Sequence, residues 1–343
     1  MRKLLLGTTA LAAAATLSAN VAVAETDVSI TGAFEFTYSS NDAGYTSSGS
    51  SFDKFSTDSD VAIKLERKTD SGLTIGMFQK LETTSDGASA LASDETYLYI
   101  NGGFGKLSFG QDDGAGDQLT RTAHDLVGPD ALNDGGGAVF STTSSSLSDD
   151  NADLIDDIND ENAITYILPT MGGLTVGASY KDAGSGTGDN ADETVVAAKY
   201  DFESGAVKGS LHYGVNNISG ATAGAGSTNS NSMALDVSSG PFRAVIAKAE
   251  DDQTTAITTE VTDYGIQYNV GNGLTLAAVG TQIEESSGGE TSDVTTLSAK
   301  YNLAAGLDAY LTYHDYDYNI GTATVANGND DGSWTHVTIK ATF

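Results

Sequence analysis

The chain has 343 residues, and its 47 Asp and Glu against 16 Lys and Arg give a formal net charge of −31. Charge this negative repels phosphates and argues against a nucleic-acid partner. Cys is absent, which removes disulfides, thiolate metal sites and cysteine nucleophiles. The length suits two soluble domains or one large β-barrel.

At the N-terminus, Arg2 and Lys3 precede a short apolar stretch from Leu4 to Leu17. Ala22-Val23-Ala24 then forms an A-x-A cleavage signal before Glu25. The pattern predicts a signal peptide over 1–24, cut between Ala24 and Glu25, and an exported chain. The apolar stretch is too short to span a bilayer well. Cleavage leaves 319 residues with 14 bases against 47 acids, a net charge of −33.

Residues 25–343 follow a period of two. From Val28 to Tyr38 the even positions are mostly apolar and the odd ones mostly polar, as in a strand with one dry and one wet face. The expected strands run over 28–38, 58–68, 73–83, 93–101, 104–111, 162–168, 174–181 and 192–202. The second half continues with 206–215, 231–238, 241–250, 260–270, 274–283, 292–302, 307–316 and 333–343. Short turns rich in Gly, Asn and Ser, such as Gly271-Asn272-Gly273, alternate with eight long connections. The long ones span 39–57, 84–92, 112–161, 182–191, 216–230, 251–259, 284–291 and 317–332. One rim therefore carries the short turns and both termini, and the other carries the loops.

No later segment has 18 consecutive apolar residues, so no transmembrane helix is expected. Sixteen strands enclose too wide a lumen for side chains to fill, so the apolar face must point outward into lipid. Closure satisfies every backbone group without an edge. Phe36, Tyr38, Tyr180, Tyr200, Tyr213 and Tyr268 fall near strand ends on the apolar parity, where interfacial girdles sit.

These features together resemble a Gram-negative general diffusion porin of the alphaproteobacterial type. The likeness rests on the signal peptide, the opening strand with Gly32 and the alternation of turns and loops. The long third loop after Phe109-Gly110-Gln111 and the terminal Phe343 add to it. It implies a 16-stranded antiparallel transmembrane barrel and a passive, non-enzymatic outer-membrane channel for small hydrophilic solutes. It also implies a homotrimer surrounded by outer-membrane lipid and lipopolysaccharide. In that family Phe343, with Ala341, Ile339 and Val337 before it, matches the signal read by the insertion machinery. The third loop there folds into the lumen, and wall bases face its acids across the eyelet.

The residues support that loop assignment. The connection 112–161 is far longer than usual and should be functional or disordered. It holds 13 acids and one base, Arg121. We expect its early half, 112–135, to present Asp112, Asp113, Asp117, Asp125 and Asp134 to the pore. The alternative is a solvated acidic surface loop. On strand parity Lys64, Lys80, Lys106, Lys181, Lys199, Lys208, Lys300 and Lys340 face the lumen, as lipid would penalise them. Lys64, Lys80 and Lys106 are the candidate wall bases.

The eight loops hold 26 of the 47 acids but only Lys54 and Arg121 among the bases, or −24 of the −33. This predicts an acidic outer vestibule and a mild cation preference. Asp112/Asp113, Asp156/Asp157 and Asp330/Asp331 are candidate oxygen ligands for Ca²⁺, without EF-hand or repeat spacing. No catalytic motif appears, the four histidines are dispersed, and the paired carboxylates read as solvated, with nothing to raise a pKa.

Two further functions remain open. A substrate-specific channel would need an aromatic track, and lumen-parity aromatics look few: Phe78, Tyr310 and Trp334. A soluble exported acidic β-protein, an adhesin or Ca²⁺-binding module, would need no detergent for extraction.

Overall fold

The computed structural model describes residues 26–41, 53–83, 92–129, 158, 162–182, 192–219, 228–252, 258–286, 290–319 and 331–343. The first eight strands are β1 Thr26–Asn41, β2 Asp53–Lys68, β3 Thr74–Thr83, β4 Ala92–Gly102, β5 Gly105–Gln111, β6 Asn162–Ile167, β7 Leu174–Lys181 and β8 Asp192–Ser204. The second eight are β9 Val207–Ser219, β10 Thr228–Ser239, β11 Phe242–Asp252, β12 Thr258–Gly271, β13 Leu274–Glu285, β14 Glu290–Ala304, β15 Leu307–Asn319 and β16 Asp331–Thr342. All sixteen pair antiparallel with their sequence neighbours, and β16 closes on β1, so no edge is left.

The closure explains the position of the last residue. Gly32 N–H donates to the Phe343 carbonyl at 3.3 Å, and Phe343 N–H donates to the Gly32 carbonyl at 2.9 Å. Upstream, Phe34 faces Ala341 and Phe36 faces Ile339 on the outer surface. The Phe343 ring itself is 83% exposed.

The alternation has the sign expected of a membrane barrel. Val28, Ile30, Leu211, Ile246 and Leu297 are exposed on the outer face, while Thr296, Thr312 and Thr338 are fully buried on the inner one. No described helix is long and apolar enough to cross a membrane. The short turn Gly271-Asn272-Gly273 holds three successive positive φ values, 91°, 52° and 85°, which only Gly and Asn adopt cheaply.

Several strands are longer than the alternation predicts. β2 begins at Asp53 rather than 58, and β15 runs on to Asn319 rather than 316. A span needs roughly 9–11 residues. The excess lies toward the long-loop rim, where the β1–β2 ladder continues and Phe55 stacks on Phe36 and packs on Tyr38. The expected loop 112–161 coincides with the gap between Gln111 and Asn162. The signal segment 1–24 with Ala24, and Glu25 beside it, lie outside the described residues.

Candidate functional site: the pore constriction

Residues 112–129 turn inward and run along the lumenal wall. A short helix, α1 (Ala115–Leu119), packs on β7 to β9, and a 3-10 turn (Ala123–Leu126) packs on β11 to β13. Two glycines make the close approach possible. A Cβ on Gly177 would meet Ala115 and Leu119 at 3.0 Å, and one on Gly265 would meet Leu126 at 2.9 Å. Leu126, Ala123 and Val127 form a buried cluster with Val245 and Val279 of the wall.

Wall side chains hold the loop mainly by its backbone. Ala115 N–H donates to Ser179 Oγ at 2.7 Å, and His212 Nδ1–H donates to the Leu119 carbonyl at 2.7 Å. Gln267 donates to the Leu126 carbonyl at 2.8 Å. His124, 1% exposed, shares a 2.6 Å hydrogen bond with Thr281 and lies 3.7 Å from Asp263. Burial pushes the His124 imidazole down to about 4, so it is neutral at physiological pH.

The described loop segment packs along the wall from β6 to β15, away from β1 to β3. Lys64 and Lys80 stand on those strands, and Lys106, on β5, reaches Asp112 where the loop begins. The geometry separates them from most of the loop acids. Lys64 pairs with Glu66 at 3.1 Å, and Lys80 with Asp94. Lys106 pairs with Asp112 at 3.0 Å. Lys340 and Lys300 likewise pair with Glu35 and Asp308.

The loop acids divide by environment. Asp117 and Asp125 are exposed, and Arg121 binds Asp125 at 3.0 Å. Asp112 is 3% exposed, and burial beside Asp112 pushes the Asp113 carboxyl up. The expectation that the paired carboxylates are solvated is thereby corrected for Asp112/Asp113: Asp112 is buried against Lys106 and Tyr97, and Asp113 beside it is half-buried. Asp134, Asp156, Asp157 and Asp330 lie outside the described residues. Among the described residues no three His, Asp or Glu side chains cluster as metal ligands.

The lumen is also more aromatic than expected. Besides Phe78, Tyr310 and Trp334, the inner face carries Tyr97, Tyr99 and Tyr316. Leu98 is exposed on the outer face, which places its neighbours Tyr97 and Tyr99 inside. Tyr99 faces Gly76 in the register, and a Cβ there would meet its ring at 2.2 Å. Continuing the parity from Leu98, or noticing the glycine opposite the ring, would have found both tyrosines.

No curated protein sequence matches the chain. Solved structures share its shape at low identity. The anion-selective porin from Comamonas acidovorans is 14% identical with a TM-score of 0.67, covering 93% of this chain and 100% of that one. The trimer form of OmpT, an outer membrane protein of Vibrio cholerae, is 13% identical with a TM-score of 0.65, covering 93% and 99%. A substituted porin of Rh. blastica is 16% identical with a TM-score of 0.64, covering 92% and 100%. These likenesses show the fold. The profile of the Gram-negative porin family matches residues 7–322 of the sequence. With a closed 16-strand barrel, an apolar exterior and an inward third loop, the chain belongs to the Gram-negative porins, the channel-forming barrels of the outer membrane.

Proposed function

We propose that this porin is a passive, water-filled channel for small hydrophilic solutes and ions, trimeric and mildly cation-preferring at low salt. One observation carries the ion preference: Lys64, Lys80 and Lys106 are each held by a carboxylate at short range. Their charge is cancelled locally. Asp58 and Asp60 on the same side set the sign of the lumenal potential. Glu82 lies within electrostatic range of Asp94 and Asp58 as well as of Lys80. Loop acids Asp117 and Asp125 add to it from the opposite side, and Arg121 offsets one of them.

The test is a reversal potential across planar bilayers under a KCl gradient. Potassium should permeate more readily than chloride at low ionic strength, and the ratio should fall toward one as salt screens the wall. Anion preference at low salt would overturn the proposal. The trimer is supported by the fold it shares with a trimeric relative, and a heat-sensitive high-mass band in SDS tests it.

A second reading, a channel selective for particular solutes, draws on the lumenal tyrosines Tyr97 and Tyr99. Single-channel conductance with and without candidate solutes separates the two.

A further inference from the structure

The loop root holds an arrangement that ion pairing alone does not require. Lys106 Nζ lies 4.9 Å from the centroid of the Tyr97 ring and 5.8 Å from that of Tyr99. The same ammonium reaches Asp112 Oδ2 at 3.0 Å. Tyr97 donates its hydroxyl to the Asp112 side chain. Phe78 packs on Tyr97 with centroids 5.3 Å apart. An ammonium therefore sits between two aromatic rings and a carboxylate, the combination that recognises quaternary and other weakly hydrated ammonium groups. The Lys106 side chain is 28% exposed to the lumen, with Asp112 and Tyr99 buried behind it, so a ligand reaches them where the lysine swings aside.

We infer that Lys106, Tyr97, Tyr99 and Asp112 form a lumenal binding site for the ammonium group of organic cations, a site the chain fills with its own lysine. The inference rests on the channel reading above but not on its ion preference. A choline-like cation entering the lumen competes with the Lys106 ammonium for the tyrosine rings and the Asp112 carboxylate. The lysine stem is flexible, and its displaced charge moves into water, where an ammonium is well solvated. Hydrated Na⁺ and K⁺ gain little from an aromatic face. The site thus distinguishes organic ammonium ions from alkali ions of equal charge. A second lysine, Lys64, stands 5.9 Å from the Tyr99 ring with Glu66 as its partner, so the wall uses the same pairing twice side by side.

The experiment is current block of the reconstituted trimer in planar bilayers by choline, with added NaCl as the control of equal charge. Wild type should show choline block at concentrations where NaCl gives none. Tyr97→Leu removes a ring and keeps every charge, and should weaken the block by about two- to fivefold, the worth of one exposed cation–π contact. Lys106→Met vacates the site and should strengthen the block by at least as much. These opposite signs are the signature. Block by choline no stronger than by NaCl, no change in Tyr97→Leu, or weaker block in a folded Lys106→Met each overturns the inference. If Lys106→Met fails to give a trimer in unheated SDS, Tyr97→Leu alone decides. Potassium over chloride permeability is measured on the same bilayers. Anion preference there refutes the proposed ion selectivity, whereas loss of the choline effects with that preference intact refutes only this site.

Discussion

Docking of the third loop depends on one contact that can be tested as a cycle. Leu126 is 2% exposed, and its Cδ1 lies 2.9 Å from where a Cβ on Gly265 would stand. The same Cβ would meet Val279 Cγ2 at 2.9 Å and Ala123 Cβ at 3.3 Å. Gly265→Ala therefore forces the 3-10 turn off the wall, at roughly 1–3 kcal/mol for overpacking. Leu126→Ala removes the leucine from its cluster. One side of the loop borders water and can relax, so the cost should be near the low end of the core range, about 2 kcal/mol. Hydrogen exchange of the amides of Gln118, Thr120 and Val127, bonded to Gly114, Gly116 and His124, reads loop opening directly. Each substitution should speed that exchange, Leu126→Ala by roughly 30-fold at tenfold per 1.4 kcal/mol. In the double variant the new methyl at 265 enters the space the leucine leaves. The two effects should then fall short of additivity by about 1–2 kcal/mol. Strictly multiplicative exchange rates in the double variant would refute the packing of Leu126 over Gly265. Exchange in β1 to β4 should not change in any of the three.

Asp94→Asn removes a charge and leaves Lys80 with its longer contact to Glu95 at 4.0 Å. A unit charge about 8 Å away in water is worth about 0.5 kcal/mol, so reversal potentials should show the potassium-to-chloride ratio falling by about twofold; an unchanged ratio would place selectivity elsewhere. Docking of the loop should weaken in acid. His124 is held neutral, with its pKa pushed down to about 4, against about 6.5 when free. The undocked loop thus binds more protons between those values, and docking weakens as pH falls from 6.5 to 4, by at most about 3 kcal/mol. Thr281, Asp263 and Asp125 face the imidazole, and Arg121 pairs with Asp125. Amide exchange in the loop should show this acid dependence in wild type and lose it in His124→Gln. Deleting Phe343 removes both main-chain bonds to Gly32 and should lower the yield of the heat-sensitive trimer, measured on unheated gels.

Particular residues show what was legible beforehand. The loop limits could be read because Gln111 and Asn162 bound a stretch with no alternation, and a closed barrel leaves no other place for fifty residues. The inward lysines could be read because lipid excludes them. Tyr97 and Tyr99 were missed because Thr96-Tyr97-Leu98-Tyr99-Ile100 is apolar or aromatic on both parities, so no polar face marks the lumen. The partner of Lys80 was hidden by a register shift between Gln79 and Leu81, which changes the pairing of β3 with β4. The burial of Asp112 depends on its contacts with Lys106 of β5 and Tyr97 of β4, which no local pattern encodes.

The sequence by itself determined the barrel, which face of each strand turns outward, and the position of the long loop. Periodicity, turn chemistry and the exclusion of charge from lipid are local properties that act at every strand. Charge pairing and loop docking arise from contacts between segments distant in sequence. Only the tertiary structure decided that the wall bases are neutralised where they stand, that Asp112 is buried, and that an ammonium rests on the lumenal tyrosines.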